Sequence, residues 1–251
     1  MPIEPPPRPE IKAIAFDVNG TLVEIWTDEH LDQIFRAIGH FLTYQGIDLR
    51  RHQVRDRYFA ILNQQRAASA QEHPEFDAEA VWRQLIDENA SDFTRALPPE
   101  KLAQLPLFLA EMYRGISRRT LKLYPHVRHV LNILRERMPL AVVTDAQSAY
   151  ARAELHKVGI LDYFDPIVIS GDHGYRKPDA RLFRMAVDAI GVPAANVLYV
   201  GNDMHRDIHG AREAGMQTVM FDSNQGTKHH HGTVPDQRIT DFRDLLAWLG
   251  L

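Results

Sequence analysis

Two kinds of apolar pattern divide this chain. The first is a set of short, almost uninterrupted apolar runs that stop at polar residues. Ile11 to Phe16 (IKAIAF) runs into Asp17, Leu140 to Val143 into Thr144-Asp145, and Val197 to Val200 into Gly201-Asn202-Asp203. Ile167 to Ile169 and Thr218 to Phe221 have the same character. Runs this brief and this apolar predict strands covered on both faces. The second kind repeats every three or four residues, the spacing of amphipathic helices. Val127, Val130, Leu131 and Leu134 predict one helix, and Ser148 to Val158 a second. Asp179 to Ile190, with Leu182, Phe183 and Val187 facing inward, predicts a third. Arg206 to Glu213, closed by Gly215, and Asp241 to Leu249 complete the set. Strands alternating with helices imply an α/β fold with a parallel sheet and helices on both faces.

From about Trp26 to Leu121 only the helical spacing is present. Leu31, Ile34, Phe35, Ile38 and Leu42 form one stripe, and Val54, Tyr58, Ile61 and Leu62 another. Val81, Leu85 and Ile86 form a third, and Leu105, Phe108, Leu109 and Met112 a fourth. Gly46, His73-Pro74 and Pro98-Pro99 separate them. This predicts an all-helical insertion of four antiparallel helices without strands. The division is residues 1–24 and 122–251 for the sheet and 25–121 for the insertion. Flexible hinges are expected at Leu22 to Ile25 and Leu121 to Tyr124. In a parallel sheet, ligands bind beyond the carboxyl ends of the strands. Asp17, Thr144 and the Asn202-Asp203 pair stand at three such ends.

Composition narrows the function classes. The 251 residues carry 29 Lys and Arg against 33 Asp and Glu, a formal charge of −4. Such a mildly acidic chain is not expected to bind nucleic acid. With 0 Cys, disulfides, thiolate metal sites and cysteine nucleophiles are excluded. No apolar run is long enough for a membrane span. Met1 to Glu10 (MPIEPPPRPE) reads as a polyproline-like leader without a targeting signal, so a cytoplasmic protein is expected. A monomer or homodimer is expected.

The order Asp17-Val18-Asn19-Gly20-Thr21, then Thr144, then Lys177-Pro178, then Gly201-Asn202-Asp203 with Asp207 resembles the haloacid dehalogenase-like hydrolase superfamily. RKPDARLF from Arg176 and DIHGAREAG from Asp207 are especially close to its pattern. The resemblance implies a Rossmann-like parallel sheet core with an inserted all-helical cap domain of the C1 type. It implies hydrolysis through an aspartyl-enzyme intermediate, with Asp17 as nucleophile and Thr144 and Lys177 as catalytic partners. Gly20, Thr21, Asp145 and Ala146 would bind the substrate. Mg²⁺ would be held by Asp17, the backbone carbonyl of Asn19 and Asp203, with Asp207 acting through water or orienting Lys177. The substrate expected is a small phosphorylated metabolite. Elementary chemistry agrees in part. A carboxylate becomes a usable nucleophile when fixed positive charge offsets the repulsion between it and an anionic substrate.

Asn19 departs from the phosphatases of the superfamily, which carry Asp two residues after the nucleophile. An amide cannot exchange a proton with a leaving alkoxide or an attacking water. General acid–base help is typically worth about 10²–10⁴-fold. The chain is therefore expected to be slow on alkyl phosphates, or to act on acyl or aryl phosphates whose leaving group needs no proton. Two alternatives stay open: a metal-free 2-haloacid dehalogenase, and a degenerate member that binds without turnover. Of the 13 His, His205 and His209 read as solvated helix residues and His229-His230-His231 as a loop without a role. Trp82, Phe93 and Tyr113 read as core of the insertion, and Trp26, Thr27 and Tyr44 as candidates to line a pocket.

Overall fold

Both faces of the central strands are covered, and the residues on each face differ accordingly. The computed structural model describes residues 9–251, so the leader read at Met1 to Glu10 lies outside the described residues as far as Arg8. β1 (Ala13–Phe16), β4 (Leu140–Thr144) and β6 (Val197–Gly201) are buried along their whole length. Ile14, Phe16, Val142, Leu198 and Val200 face α6 (Val127–Arg135) and α10 (Arg243–Leu249). The alternate residues Ala13, Ala15, Ala141, Val143 and Tyr199 face α8 (Ala180–Ile190) and α9 (Gly210–Glu213). Small side chains on this second face let the helices approach closely, which is the two-residue period of a strand put to use.

The sheet has six strands in the order β5-β4-β1-β6-β7-β8, with β5 at Ile167–Ile169, β7 at Gln217–Phe221 and β8 at Gln237–Ile239. Every pairing in it is parallel. The chain begins in the middle of the sheet, adds strands to one side and then to the other. The crevice this leaves opens at the carboxyl end of β1. β8 escaped the sequence reading because Gln237-Arg238-Ile239 is too short and too polar to stand out at a sheet edge. Among the described residues no helix is long and apolar enough to cross a membrane.

The insertion consists of α1 (Asp32–Tyr44), α2 (Arg51–Ala68), α3 (Ala78–Asn89), the single turn α4 (Asp92–Arg95) and α5 (Pro99–Ser117). They enclose their own apolar cluster around Phe35, Tyr58, Trp82 and Leu109. Phe93 is not part of it: at 61% exposed it stands in solvent. The joints expected at either end are paired with each other. β2 (Val23–Thr27) pairs antiparallel with β3 (Arg118–Leu123), forming a two-stranded ribbon with an irregularity at Trp26/Thr27. The sequence hides it because β2 and β3 pair across 90 intervening residues and are short, with charged residues Glu24, Arg118, Arg119 and Lys122 among them.

An ion pair also ties the insertion to the sheet. Arg114 on α5 grips Glu154 on α7 (Ser148–Lys157) with both ends of its guanidinium, at 2.7 and 3.0 Å. Arg118 adds a contact of 3.2 Å. The Arg114 and Glu154 side chains are only 11% and 6% exposed. Removing one partner of such a pair strands a buried charge, whereas replacing both with apolar groups does not. Glu154→Ala should therefore lower the unfolding free energy by about 3 kcal/mol in urea titrations. The double replacement Arg114→Met/Glu154→Leu should regain more than half of that loss.

Candidate active site

Asp17 is the first residue beyond β1 and is nearly buried, with 4% exposure. Its backbone N–H donates to Val200 O at 2.9 Å, continuing the β1–β6 ladder by one rung. Its carboxylate is held from two sides. The Thr21 hydroxyl donates to Oδ2 at 2.8 Å, and the Lys177 ammonium donates to Oδ1 at 2.8 Å. A tight turn brings Thr21 back: the carbonyl of Val18 accepts from the N–H groups of Thr21, Leu22 and Val23. Gly20 sits in this turn at φ +88, and a Cβ there would come within 2.2 Å of the Asn202 side-chain nitrogen. Glycine is required on both counts.

Lys177 is the hub. Its Nζ lies 2.8 Å from Asp17 Oδ1, 2.6 Å from Asp207 Oδ1, 3.1 Å from the Tyr199 hydroxyl and 3.3 Å from Val143 O. Burial alone would lower its pKa, but the two carboxylates outweigh burial and hold it well above the usual lysine value. The ammonium is thus a fixed positive charge. The loop that carries it is pinned by its own N–H, which donates to Asp145 Oδ1 at 2.9 Å. Asp179 caps α8 immediately beyond it. Burial pushes the Tyr199 phenol up, so it keeps its proton and donates to Val143 O at 2.9 Å.

Asp207 turns back toward the end of β6. Its Oδ2 accepts from the N–H groups of Asn202 and Asp203 at 2.9 and 3.0 Å. Gly201 makes room for it, because a Cβ there would lie 2.6 Å from the Asp207 carboxyl carbon. Burial raises the Asp207 pKa, and Lys177 opposes the shift. Thr144, at the end of β4, is 1% exposed, and its hydroxyl has no partner. Thr144, Asn19, Val18 and Ala146 line one small cavity with Glu154. Burial also raises the Asp145 pKa.

The four acidic and amide positions read as a metal site do not meet. Asp203 faces the other way. Its oxygens accept from the N–H groups of His205, Arg206 and Thr227 and from the Arg206 guanidinium. Burial works against its charge, but the backbone donors and Arg206 prevail and hold its pKa down at about 2. It caps the π-helical turn Met204–His209 that leads into α9. The neighbouring Asn202 stands in the position expected of Asp203. Its Oδ1 accepts from the same Thr21 hydroxyl as Asp17 does, at 3.3 Å. Consecutive side chains at a strand end point in opposite directions, so a shift of one residue decides which one faces the site. Tyr199 and Asn202 are the residues that the sequence reading passed over. Asn202 had a signal, because it lies inside the quoted Gly201-Asn202-Asp203.

A hard cation can be tested against these donors. Asp207 is spent on Lys177 and two backbone N–H groups, and Asp203 on Arg206 and its own turn. What converges beside Asp17 is the amide oxygen of Asn202, next to the Asn19 turn. Mg²⁺ accepts one or two carboxylates, keeps several waters and completes its shell with substrate phosphate. The residues fit that description as a site of low charge. Among the described residues no three His, Asp or Glu side chains are grouped to hold a metal.

Other residues read from the sequence fall outside the site. Tyr44 and Trp26 are 82% and 60% exposed. His205, His209 and His230 are not separate solvated groups but stack on one another, with ring centroids 4.5 to 5.9 Å apart. Burial, then the neighbouring imidazoles, lower the His205 pKa. Trp82 and Tyr113 are buried in the insertion.

Comparison with known proteins gives the site its context. A phosphoserine phosphatase of Thermus thermophilus is 33% identical over 168 residues, covering 66% of this chain and 63% of that protein. A glyceraldehyde 3-phosphate phosphatase of Pyrococcus abyssi is 36% identical over 98 residues, covering 39% and 41%. The chain thus spans less than two thirds of the length of these relatives. Among solved structures, a 2-haloacid dehalogenase from Pseudomonas syringae superposes with a TM-score of 0.66 at 21% identity, covering 96% of this chain and 98% of that one. A phosphatase from Thermococcus onnurineus superposes with a TM-score of 0.59 at 23% identity over the same shares. At these identities the likeness establishes the fold. The family model for haloacid dehalogenase-like hydrolases matches residues 11–215, and the chain belongs to that family of hydrolases.

Proposed function

We propose that the chain is a phosphatase in which Asp17 attacks the phosphorus of a small phosphate ester. The observation that carries this reading is the buried Asp17–Lys177–Asp207 web beside the unpartnered Thr144 hydroxyl. The phosphatase names of the two similar proteins described above support it. One Asp17 oxygen forms a bond to phosphorus while the bond from phosphorus to the ester oxygen breaks. Water then attacks the phosphorus of the aspartyl phosphate, releasing inorganic phosphate and restoring the carboxylate. Lys177 holds Asp17 in place and offsets charge on the entering phosphoryl group. The Thr144 hydroxyl donates to a phosphoryl oxygen, which satisfies a group that is otherwise orphaned in the interior. Asp17, the carbonyl of Asn19 and the Asn202 amide oxygen would hold Mg²⁺. That ion would supply further charge neutralisation at the transferred phosphoryl group.

Asn19 determines which esters react. Nothing at that position can hand a proton to the departing oxygen, so good leaving groups are favoured. A second reading, carbon–halogen hydrolysis, draws on the same observation together with Asn202. Halide needs no proton, and a site with amides in both places needs no metal.

Three outcomes are expected. Asp17→Asn should abolish release of inorganic phosphate from any ester that wild type hydrolyses, with an unchanged circular dichroism spectrum. Asn19→Asp should raise kcat on an alkyl phosphate by about 10²-fold and on an aryl phosphate by much less, as stopped assays would show. Asn202→Asp should lower the Mg²⁺ concentration needed to raise Tm, because it adds a carboxylate to the site. Halide release from 2-chloropropionate in the presence of chelator, without phosphate release from any ester, would replace the phosphatase reading with the second.

A further inference from the structure

Inside the insertion lies a cavity of about 320 Å³, within the size range of small-molecule sites. Its wall is mostly aromatic. Tyr58 packs against both Trp82 and Tyr113, with centroids 4.6 and 4.7 Å away, Trp82 and Tyr113 lie 6.1 Å from each other, and Phe59 packs edge-on against Tyr58 at 5.3 Å. The sheet domain contributes Tyr150 from α7, the helix that follows Thr144. The wall is not continuous with the insertion's packing alone. Arg114 lies 4.6 Å over the Tyr150 ring and grips Glu154, and Glu154 lines the small cavity of Asn19 and Thr144.

Two residues that line the cavity each carry a buried donor without an acceptor: the Trp82 indole N–H and the Arg66 Nε–H. Trp82 is wholly buried. Arg66, whose side chain is 38% exposed although its Nε is buried, lies 5.0 Å over the Phe76 ring, and the Glu75 carboxylate is 4.0 Å from its guanidinium. Both Glu75 oxygens already accept, one from Phe76 N–H and the other from the Ser170 hydroxyl. Burial holds the phenols of Tyr58, Tyr113 and Tyr150 above the ordinary tyrosine pKa, so they add no negative charge to the wall. The other polar groups with ionisable side chains in the lining, Glu29 and His30, are exposed. Buried donors left unpaired are costly and rare in native proteins. An aromatic chamber with an unsatisfied indole N–H and a guanidinium is complementary to a planar ring bearing an anionic oxygen.

We propose that this cavity receives the leaving group of the substrate and that the substrate is an aryl phosphate whose ring carries a carboxylate. This rests on the phosphatase reading of Asp17. Asn19 points to the same class independently. As Asp17 bonds to phosphorus, the bond from phosphorus to the aryl oxygen breaks and its electron pair leaves on a stabilised phenolate. The phenolate takes its proton from water afterwards, so no acid is needed at position 19. Arg66 and the Trp82 N–H take the ring carboxylate, and the aromatic wall takes the ring.

The test uses the full chain, with 4-carboxyphenyl phosphate, phenyl phosphate and an aliphatic phosphate ester of equal charge, 3-phosphooxypropanoate. The expected kcat/KM falls at least tenfold from the first to the second and at least a hundredfold to the third. Arg66→Met and Trp82→Phe should each raise KM for 4-carboxyphenyl phosphate at least fivefold more than for phenyl phosphate. Separately, 4-hydroxybenzoate should quench tryptophan fluorescence of wild type and of Asp17→Asn, and that binding should weaken at least tenfold in Arg66→Met. Equal kcat/KM on the three esters, with no binding of 4-hydroxybenzoate, would overturn the inference and leave the phosphatase standing. Binding of 4-hydroxybenzoate that depends on Arg66, without turnover of any ester, would overturn the phosphatase reading and keep the cavity's ligand class.

Discussion

An ammonium group sealed between two carboxylates governs this molecule. Lys177 is 2% exposed, and a lone charge at that depth would be intolerable without Asp17 and Asp207 within 2.8 Å of it. The three groups come from three distant stretches of chain, and only the folded sheet brings them together. Each also has a second duty. Asp17 continues the β1–β6 ladder, Asp207 collects the loose N–H groups at the end of β6, and the Lys177 loop rests on Asp145. Stability and chemistry therefore share the same atoms. A buried ion pair of this kind is weak evidence for stability by itself. Its value lies in fixing one carboxylate where a substrate can meet it.

Around that web the donors are unusually neutral. Asn19 and Asn202 are amides, and Asp203 is withdrawn into a helix cap. The site keeps an anchored carboxylate and a fixed cation, but it offers no side-chain acid at position 19 and few charges for a metal. On the phosphatase reading proposed above, this balance moves the burden onto the substrate, whose leaving group would depart without help and whose own phosphate would complete any Mg²⁺ shell. The aromatic chamber in the insertion, with its unpaired indole and guanidinium donors, is the feature on which the proposed ring-bearing leaving group rests.

Much of the architecture was legible beforehand because burial on both faces writes itself as uninterrupted apolar runs. IKAIAF, LAVV and VLYV could be nothing else at that length, and the helical stripes between them imposed the parallel sheet. The strands that escaped notice are the ones with a wet face. β2 and β3 mix charged and polar residues with apolar ones and are only partly buried, and β8 has three residues at an edge. Their identity comes from the partner across the ladder, which lies far away in sequence.

The same distinction runs through the site. The chain alone determined that Asp17, Thr144 and Lys177 stand at strand ends or helix starts, since these positions follow from local apolar runs and caps. Only the tertiary structure decided that Asn202 rather than Asp203 faces Asp17, that Tyr199 joins the lysine web, and that three histidines stack. Those outcomes depend on the pleat at the end of β6 and on contacts between segments remote in sequence. Hydrophobic periodicity reports which side of an element is buried, but the meeting of particular polar atoms is set by packing at the scale of a single residue.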